Sequence, residues 1–389
     1  MPKLRFKGFT EDWDQRKLSD IVNLFGGNAF SSDDSINDGA KWLKIANVGI
    51  GHIRWNEKSF LPSSYLEDYP AYRLVPGDYV MALTRPILNG ELKIAEITEE
   101  NILLNQRVAK LIFECDKQFG YQLLRKNTTV NCIDNELAGT DPPNLSVSTM
   151  SNIKVRIPSE NEQKIIGKYL KRLDNLINIH QRKCDELQKV KKYMLQKMFP
   201  KKGEKVPEIR FAGFTGDWEQ RKISDMCSIS TGKSNTQDKV DDGEYPFYVR
   251  SSIIERSTKY LYDEEAVLTV GDGVGTGKVF HYVNGKYDLH QRCYRMYDFT
   301  DALNAKYFYH VFSKLFYNRV MSMTAKTSVD SVRMEMIADM KIPTPNIKEQ
   351  EKVEAVFTNL DNLIALHQRK HETLKEIKKY MLQNMFPEK

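Results

Sequence analysis

The sequence has few of the features that mark a secreted, membrane or metal-binding protein. Its five cysteines are an odd number scattered over 389 residues. That fits a reducing compartment and argues against a disulfide framework or a cysteine-based zinc site. No apolar run approaches the roughly 20 residues that cross a membrane, and the segment after Met1 lacks the apolar core of a signal peptide. We therefore expect a cytoplasmic protein without a membrane partner.

Motifs for phosphate or metal binding are incomplete. The segment 271–278 resembles a phosphate-binding loop, but Asp272 and Val279 stand where a Walker A loop requires glycine and a hydroxyl residue. His367 and His371 are spaced to share a helix face, but the glutamate of a zinc protease motif is missing between them. We predict no metal site in this chain.

Motifs for DNA chemistry are incomplete as well. The segment 141–144 resembles the Asp-Pro-Pro-aromatic motif of amino-group DNA methyltransferases, but Asn144 replaces the aromatic residue on which a flipped base stacks. Asp78 with Glu91–Lys93 fits a loose nuclease pattern that would hold a divalent metal. That pattern is short, common by chance and absent from the second half of the chain. We therefore expect a protein that is not an enzyme by itself.

The composition is that of a folded protein with a mildly basic surface. Hydrophobic residues make up 41% of the chain, and the net charge is +6. A length of 389 residues is enough for two or three domains. The positive charge is compatible with a polyanionic partner such as DNA.

Two segments of the chain occur twice in the same order. Residues 4–21 and 209–226 agree at 12 of 18 positions, and residues 162–200 and 349–387 agree at 21 of 39. The stretches between them, 22–158 and 227–343, share little. A repeated frame around two different inserts indicates one task that is performed on two different targets.

The second repeated segment has the pattern of a long coiled-coil helix. Apolar residues and one histidine recur every seven residues in each copy, and further apolar residues fill the +3 and +4 positions. The predicted helix-pairing positions are Ile166, Leu173, His180, Leu187 and Met194 in the first copy and Val353, Leu360, His367, Leu374 and Met381 in the second. Because the two seams are nearly identical, we expect the helices to pair with each other in antiparallel orientation. A bundle of each helix with its own domain is the alternative.

The inserts read as mixed α/β structure. Apolar runs at 79–83, 108–113, 153–157 and 266–270 predict strands. Loops between them are rich in side chains that can bond base edges. We predict DNA contacts from Lys44, Asn47, Arg85, Asn89, Lys93, Asn105, Gln106 and Arg107 in the first insert and from Lys233, Arg250, Ser251, Lys278, His290, Gln291, Arg292, Lys326 and Thr327 in the second.

The repeated opening Arg-Phe-x-Gly-Phe-Thr-x-Asp-Trp-x-Gln-Arg-Lys, at 5–17 and 210–222, resembles the start of each half of type I restriction–modification specificity subunits. The close of each half, from Glu162-Gln163 to Lys191–Gln196 and from Glu349-Gln350 to Lys378–Gln383, resembles the same family. The resemblance implies an α+β protein with two target-recognition domains, at 1–158 and 201–345. It also implies two spacer helices, at 159–200 and 346–389, that form a pseudo-two-fold antiparallel coiled coil.

The resemblance further implies a division of labour between subunits. This chain would bind a bipartite site on double-stranded DNA, one domain per half-site, and hold two methyltransferase subunits and the restriction endonuclease/translocase subunits. S-adenosylmethionine, ATP and Mg would bind the partner subunits, with no cofactor in this chain. A self-contained nuclease or modification enzyme, and a protein-binding adaptor without DNA contact, are the alternatives.

Overall fold

The computed structural model describes residues 1–56, 58–139, 141–273, 275–323 and 331–387. The chain forms two compact units, one of Met1–His180 with Arg369–Lys389 and the other of Gln181–Gln368. Both units mix strands and helices, which confirms the predicted α/β class. Within the described residues, no helix is both long and apolar enough to span a bilayer.

Within its described residues, the first unit contains twelve strands and four short helices before the first long helix. Its strands are β1 (Asp14–Lys17), β2 (Val22–Gly26), β3 (Ala40–Leu43), β4 (Phe60–Leu61), β5 (Arg73–Leu74), β6 (Tyr79–Ala82), β7 (Ile87–Leu88), β8 (Glu91–Leu92), β9 (Ile94–Glu96), β10 (Ile102–Leu104), β11 (Val108–Phe113) and β12 (Lys154–Ile157). Its helices are α1 (Tyr65–Asp68), α2 (Lys117–Leu124), α3 (Asn127–Leu137), α4 (Val147–Ser151) and the start of α5 (Glu160–Lys197).

Two four-stranded sheets carry the core of this unit, in the orders β4-β3-β10-β5 and β2-β11-β6-β9. The strands predicted at 79–83, 108–113 and 153–157 are β6, β11 and β12. All four residues of β6 are buried, as expected for a central strand covered on both faces. Strand β1 pairs with β12, which brings the first repeated segment next to the start of α5.

The second unit repeats this plan with longer strands. Its strands are β13 (Glu219–Lys222), β14 (Ser228–Thr231), β15 (Tyr245–Tyr248), β16 (Ile254–Ser257), β17 (Tyr262–Val270), β18 (Phe280–Leu289), β19 (Cys293–Tyr297) and β20 (Lys341–Thr344). Its helices are α6 (Ala305–Met323), α7 (Met334–Ala338) and the start of α8 (Ile347–Asn384). A six-stranded sheet runs in the order β14-β19-β17-β18-β15-β16. The strand predicted at 266–270 is the second half of β17.

The repeated segments form the same frame in both units. In the first unit, Arg5 donates two hydrogen bonds of 2.7 Å to the buried carboxylate of Glu162. In the second unit, Arg210 donates to Glu349 at 2.7 and 2.8 Å. A bidentate pair of this kind fixes both distance and direction. The opening of each half is thereby fastened to the first turns of a long helix.

The long helices are 38 residues each and pair in antiparallel orientation, as predicted. In the first unit, Lys378 binds Asp174 and the ring of His371 lies 3.2 Å from the carbonyl of Ile177, so residue numbers rise on one helix as they fall on the other. In the second unit, Lys191 binds Asp361 at 2.5 Å. Each unit therefore contains a piece of both helices.

The +3 and +4 residues of the heptads differ in their exposure. All ten predicted helix-pairing positions are buried or partly buried. The +3 positions, however, are exposed at Leu176, Val190, Leu363 and Ile377, with 37–47% of each residue accessible. The +4 residues take the inner place instead, including Cys184 at 3% and Lys378 at 5% exposure. The apolar +3 residues thus form a separate stripe on the outer surface.

Candidate nucleic-acid interface

Four loops of the first unit are joined by backbone hydrogen bonds into one site. Three of them lie at the ends of β2, β3 and β6, at 26–28, 43–44 and 83–85. The fourth connects β10 to β11, at 105–107. Gln106 N donates to Asn28 O at 2.8 Å, and Leu83 N donates to Arg107 O at 2.8 Å. Asn105 N lies 3.3 Å from Leu43 O. The connection between β10 and β11 is therefore at the centre of the site.

The second unit contains the same four loops with the same bonds. Gln291 N donates to Ser234 O at 2.8 Å, and Gly271 N donates to Arg292 O at 2.9 Å. His290 N lies 3.0 Å from Tyr248 O. The isolated parallel bridge between Asn28 and Asn105 returns as the bridge between Ser234 and His290. Two inserts with little sequence similarity thus share one backbone arrangement.

A glycine is required where two of these loops touch. A Cβ built on Gly27 would lie 2.2 Å from Asn105 O, and one built on Gly232 would lie 2.2 Å from Leu289 O. Both distances are far below van der Waals contact with backbone atoms, so only glycine allows the approach. This close contact positions the central loop in the same way within each unit.

The tips of the two central loops carry the same dipeptide. Gln106-Arg107 and Gln291-Arg292 are exposed. The guanidinium groups of both arginines have no hydrogen-bond or ion-pair partner within the described residues. The side-chain amide of Gln291 binds that of Asn235. Two arginines that are free to bind an anion therefore occupy equivalent places.

The remaining predicted residues of the first unit divide into two groups. Lys44 and Asn47 are engaged within the domain: Lys44 Nζ lies 3.8 Å from the centre of the Trp42 ring, and the buried Asn47 amide binds Lys44 N and Arg54 O at 2.9 Å each. The Asn105 side chain is also partly buried. These side chains support the loops from within the domain and are not freely exposed to solvent.

The second group of the first unit surrounds Arg85. Arg85 is exposed, and its N–H donates to Pro143 O at 2.7 Å. Burial lowers the pKa of Lys93, and the nearby charge of Arg85 lowers it further. Asn89 occupies the Asn-Gly turn between β7 and β8, which explains its φ of 52°. The structure therefore places two cations side by side next to the central loop.

In the second unit, a similar cluster surrounds His290. Arg250 lies 4.0 Å from Asp272, which follows β17. Burial lowers the pKa of His290, and Arg250 and Arg292 lower it further, so its ring is neutral at neutral pH. Its Nδ1 accepts a hydrogen bond of 3.0 Å from Arg292 N. This imidazole therefore supports the tip of the loop from within.

The other predicted residues of the second unit lie around this cluster or beyond it. Lys233 is exposed beside Ser234, and Lys278 Nζ lies 5.0 Å from the centre of the Tyr317 ring. Ser251 Oγ lies 3.4 Å from Ile253 O, next to Arg250. Lys326 and Thr327 lie outside the described residues.

Sequence reasoning missed the residues that join the loops. Asn28 and Ser234 carry the central bridge, and Thr84 Oγ1 donates to Asn144 Oδ1 at 3.1 Å. Asp272, considered only as a defect in a phosphate loop, forms the corresponding bridge with Ser331. The signal that could have found them is the paired spacing around Leu-Asn-Gln-Arg and Leu-His-Gln-Arg.

The geometry does not favour the nuclease pattern. Asp78 Oδ2 binds Lys110 at 2.9 Å and accepts the N–H of Val75 at 3.0 Å, so this carboxylate is engaged in a turn. Across the described ranges, no group of three or more His, Cys, Asp or Glu side chains is placed to hold a metal ion.

The model of the type I restriction modification DNA specificity domain matches the chain twice, over residues 10–189 and 215–376. The chain is 39% identical to the type I restriction enzyme MjaVIII specificity subunit of Methanocaldococcus jannaschii over 190 residues. That match covers 48% of this chain and 45% of the relative, so it spans about half the relative's length. A putative type I restriction enzyme MjaX specificity subunit of the same organism is 21% identical over 96% of this chain and 92% of its own length.

The fold is similar to that of a solved S subunit of a type I restriction–modification system from M. genitalium. The TM-score is 0.75 at 14% identity, with 100% of this chain and 99% of that chain covered. At this identity the likeness concerns the fold. The family match, in contrast, extends over most of both halves and coincides with the two copies of the four-loop site. The chain therefore belongs to the family of type I restriction modification DNA specificity domains, with one such domain in each half.

Proposed function

We propose that this chain is a non-catalytic reader of a bipartite DNA sequence, in which each unit binds one half-site. The observation that carries the proposal is the four-loop site, which is built twice with the same backbone hydrogen bonds but with different side chains. A frame that is kept while its exposed side chains change fits two related ligands of different sequence. Duplex DNA with two different half-sites is such a ligand.

The identical residues of the two sites are suited to the part of DNA that does not vary. Arg107 and Arg292 are exposed cations at equivalent loop tips, and phosphates are present at every half-site. Arg107 has φ 65°, and Arg292 does not share this left-handed backbone. A charge contact to phosphate tolerates two approach paths, whereas a bidentate base contact requires one geometry. These two arginines position the DNA, and neighbouring residues discriminate bases.

The long helices offer surfaces for partner subunits. Exposed apolar residues lie outside the seam on both helices of each unit and form two corresponding patches. The first patch consists of Leu176, Ile179, Ile377 and Tyr380, and the second of Val190, Tyr193, Leu363 and Leu366, each 42–54% exposed except Ile377 at 37%. Exposed apolar residues grouped in this way are typical of protein interaction sites. Two corresponding patches fit two methyltransferase subunits.

Chemistry belongs to those partners in this account. The methyltransferase subunits would bind S-adenosylmethionine and methylate the DNA, and restriction endonuclease/translocase subunits would use ATP and Mg. This chain would supply sequence recognition and a scaffold, in the cytoplasm where the DNA is. The incomplete methyltransferase and nuclease motifs support this division.

The test is to express the chain in a host together with its methyltransferase partner and to sequence the methylated genome. The expected result is a motif of two short sequences separated by unread base pairs. A single continuous motif, or methylation that is independent of this chain, would contradict the proposal. Methyl transfer or cleavage by the purified chain alone would favour a self-contained enzyme, and an assembled complex without DNA affinity would favour a protein adaptor.

A further inference from the structure

Arg85 has a backbone conformation that arginine rarely adopts. Its φ is 47°, in the left-handed region where a Cβ is crowded. The residue is exposed, so burial of an apolar side chain does not explain the choice. Backbone strain of this kind is concentrated at functional sites, where surrounding contacts enforce it.

Short backbone hydrogen bonds hold Arg85 and the two residues before it. Leu83 N donates to Arg107 O and Arg85 N donates to Pro143 O, at 2.8 and 2.7 Å. Between them Thr84 forms an isolated bridge with Asn144. Pro86 then fixes its own φ immediately after the arginine. The loop is therefore held rigidly, which lowers the ordering cost of binding.

The second unit shows what this position looks like without a side chain. Leu83 corresponds to Gly271, because each donates its N–H to the arginine of the central loop. Thr84 then corresponds to Asp272, since its bridge partner lies three residues before α4 and that of Asp272 lies three residues before α7. The residue after Asp272, in the place of Arg85, is Gly273, with φ 94°. Both loops thus turn through positive φ, and glycine is the unstrained residue for that turn.

The arginine side chain therefore serves something that only one half-site presents. Phosphates are common to both half-sites, and Arg107 and Arg292 already occupy equivalent places to bind them. Within the described residues, the Arg85 guanidinium has no hydrogen-bond or ion-pair partner. A free guanidinium in a fixed loop matches the paired O6 and N7 acceptors of guanine in the major groove.

We propose that Arg85 reads a guanine in the half-site of the first unit, and that the second unit reads no base through the corresponding Gly273. This inference rests on the proposed function and names one of its base contacts. The expected contact is bidentate, from two guanidinium N–H groups to O6 and N7 of a single guanine. The first half-site accordingly contains at least one invariant guanine.

The informative variant is Arg85→Gly, which copies the second unit. Because glycine relieves the strained φ, the variant should fold at least as well as the original chain. The full chain with its methyltransferase partner is used to select binders from duplexes of randomised sequence. Discrimination at one guanine of one half-site should fall by roughly 10- to 100-fold, while the other half-site stays unchanged.

Two further measurements separate a base contact from a phosphate contact. Replacing that guanine by 7-deazaguanine should weaken binding of the original chain and leave Arg85→Gly unaffected. Arg85→Lys, which keeps the charge but not the paired donors, should relax the same position. Asn101→Gly is the matched control, because it also relieves a positive φ, of 60°. Asn101 lies just before the start of β10, whereas the central loop follows the end of that strand.

Three results would overturn the inference. The first is an unchanged base preference of Arg85→Gly at the half-site of the first unit. The second is a uniform loss of affinity with a smaller salt dependence, which would make Arg85 a phosphate ligand. In the third, the original chain selects no bipartite sequence, which would overturn the proposed function and this inference with it.

Discussion

Lys378 Nζ lies 2.5 Å from Asp174 Oδ1, at a buried point where the two long helices meet in the first unit. The same carboxylate accepts hydrogen bonds from Gln122 at 2.7 Å and Arg125 at 3.2 Å. Burial would raise the pKa of Asp174, but Arg125 and Lys378 lower it overall. Burial lowers the pKa of Lys378 to about 8, and Arg125 adds to this effect. One carboxylate therefore compensates two cations, the buried Lys378 and the partly buried Arg125.

Asp174→Asn should destabilise the first unit. It leaves Lys378 and Arg125 buried without a counter-charge, and removing one partner of a buried pair costs about 3–5 kcal/mol. Asp361→Asn is the matched variant of the second unit, where the pair with Lys191 is more exposed, with 23% and 38% of the side chains accessible. Urea unfolding of both variants should show the larger loss in Asp174→Asn. Equal losses would show that the second cation and the deeper burial do not matter.

His310 should make the second unit sensitive to acid. Burial lowers the pKa of His310 from 6.5 to about 3, and Lys191 adds to the effect. In the unfolded chain His310 is therefore protonated below about pH 6.5, whereas in the folded chain it is protonated only near pH 3. Stability from this residue is lost as the pH falls through that window, by up to about 1.4 kcal/mol per pH unit.

His310→Gln should remove this acid sensitivity. The glutamine copies Gln122 of the first unit, which donates to Asp174. Gln122 lies six residues after Asp116, whose N–H binds Gln163. His310 likewise lies six residues after Asn304, whose N–H binds Gln350. The free energy of unfolding, measured between pH 7 and pH 4, should fall less steeply in the variant. Parallel curves for the two proteins would show that the imidazole is protonated inside the fold.

Arg107→Ala and Arg292→Ala should each weaken DNA binding without changing the selected sequence. A lost phosphate contact lowers the slope of log affinity against log salt by about 0.9. Affinity of the assembled complex is measured over a salt series, with Arg182→Ala, at an exposed residue in the middle of helix α5, as a control for the loss of one charge outside the loops. A changed base preference in either variant would mean that these arginines read sequence.

Ile377→Ser with Tyr380→Ser should abolish binding of one methyltransferase subunit. These residues are 37% and 54% exposed, so the folded chain is little affected. Mass measurement of the assembled complex should show one methyltransferase subunit instead of two. Val240→Ser, at a 40% exposed residue outside the helices, is the control and should retain both. Two bound subunits in the double variant would exclude the first patch as their site.

The frame of the fold was predictable because it is written twice in the sequence. Heptads without proline or glycine indicate a long helix, and near-identical seams indicate partners. The choice between +3 and +4 residues was not predictable, since both rows mix apolar residues with lysines. It is decided by contacts such as Asp174 with Lys378, which place a lysine inside the seam.

The candidate site was only partly predictable. Gln106-Arg107 and Gln291-Arg292 were predicted from their side-chain types, and both are exposed at equivalent tips. Asn47 also fits a base-reading composition, but its amide is used by the backbone of its own loop. The special position of Arg85 comes from a φ angle, which composition does not reveal.

In the proposed function, each unit reads its own half-site. The most direct measurement exchanges residues 22–158 for the corresponding insert of a relative with a known methylation motif and sequences the methylated genome of a host that expresses the chimera with its methyltransferase. The expected motif has one half taken from the relative and the other half unchanged. A motif in which both halves change, or in which neither does, would contradict it.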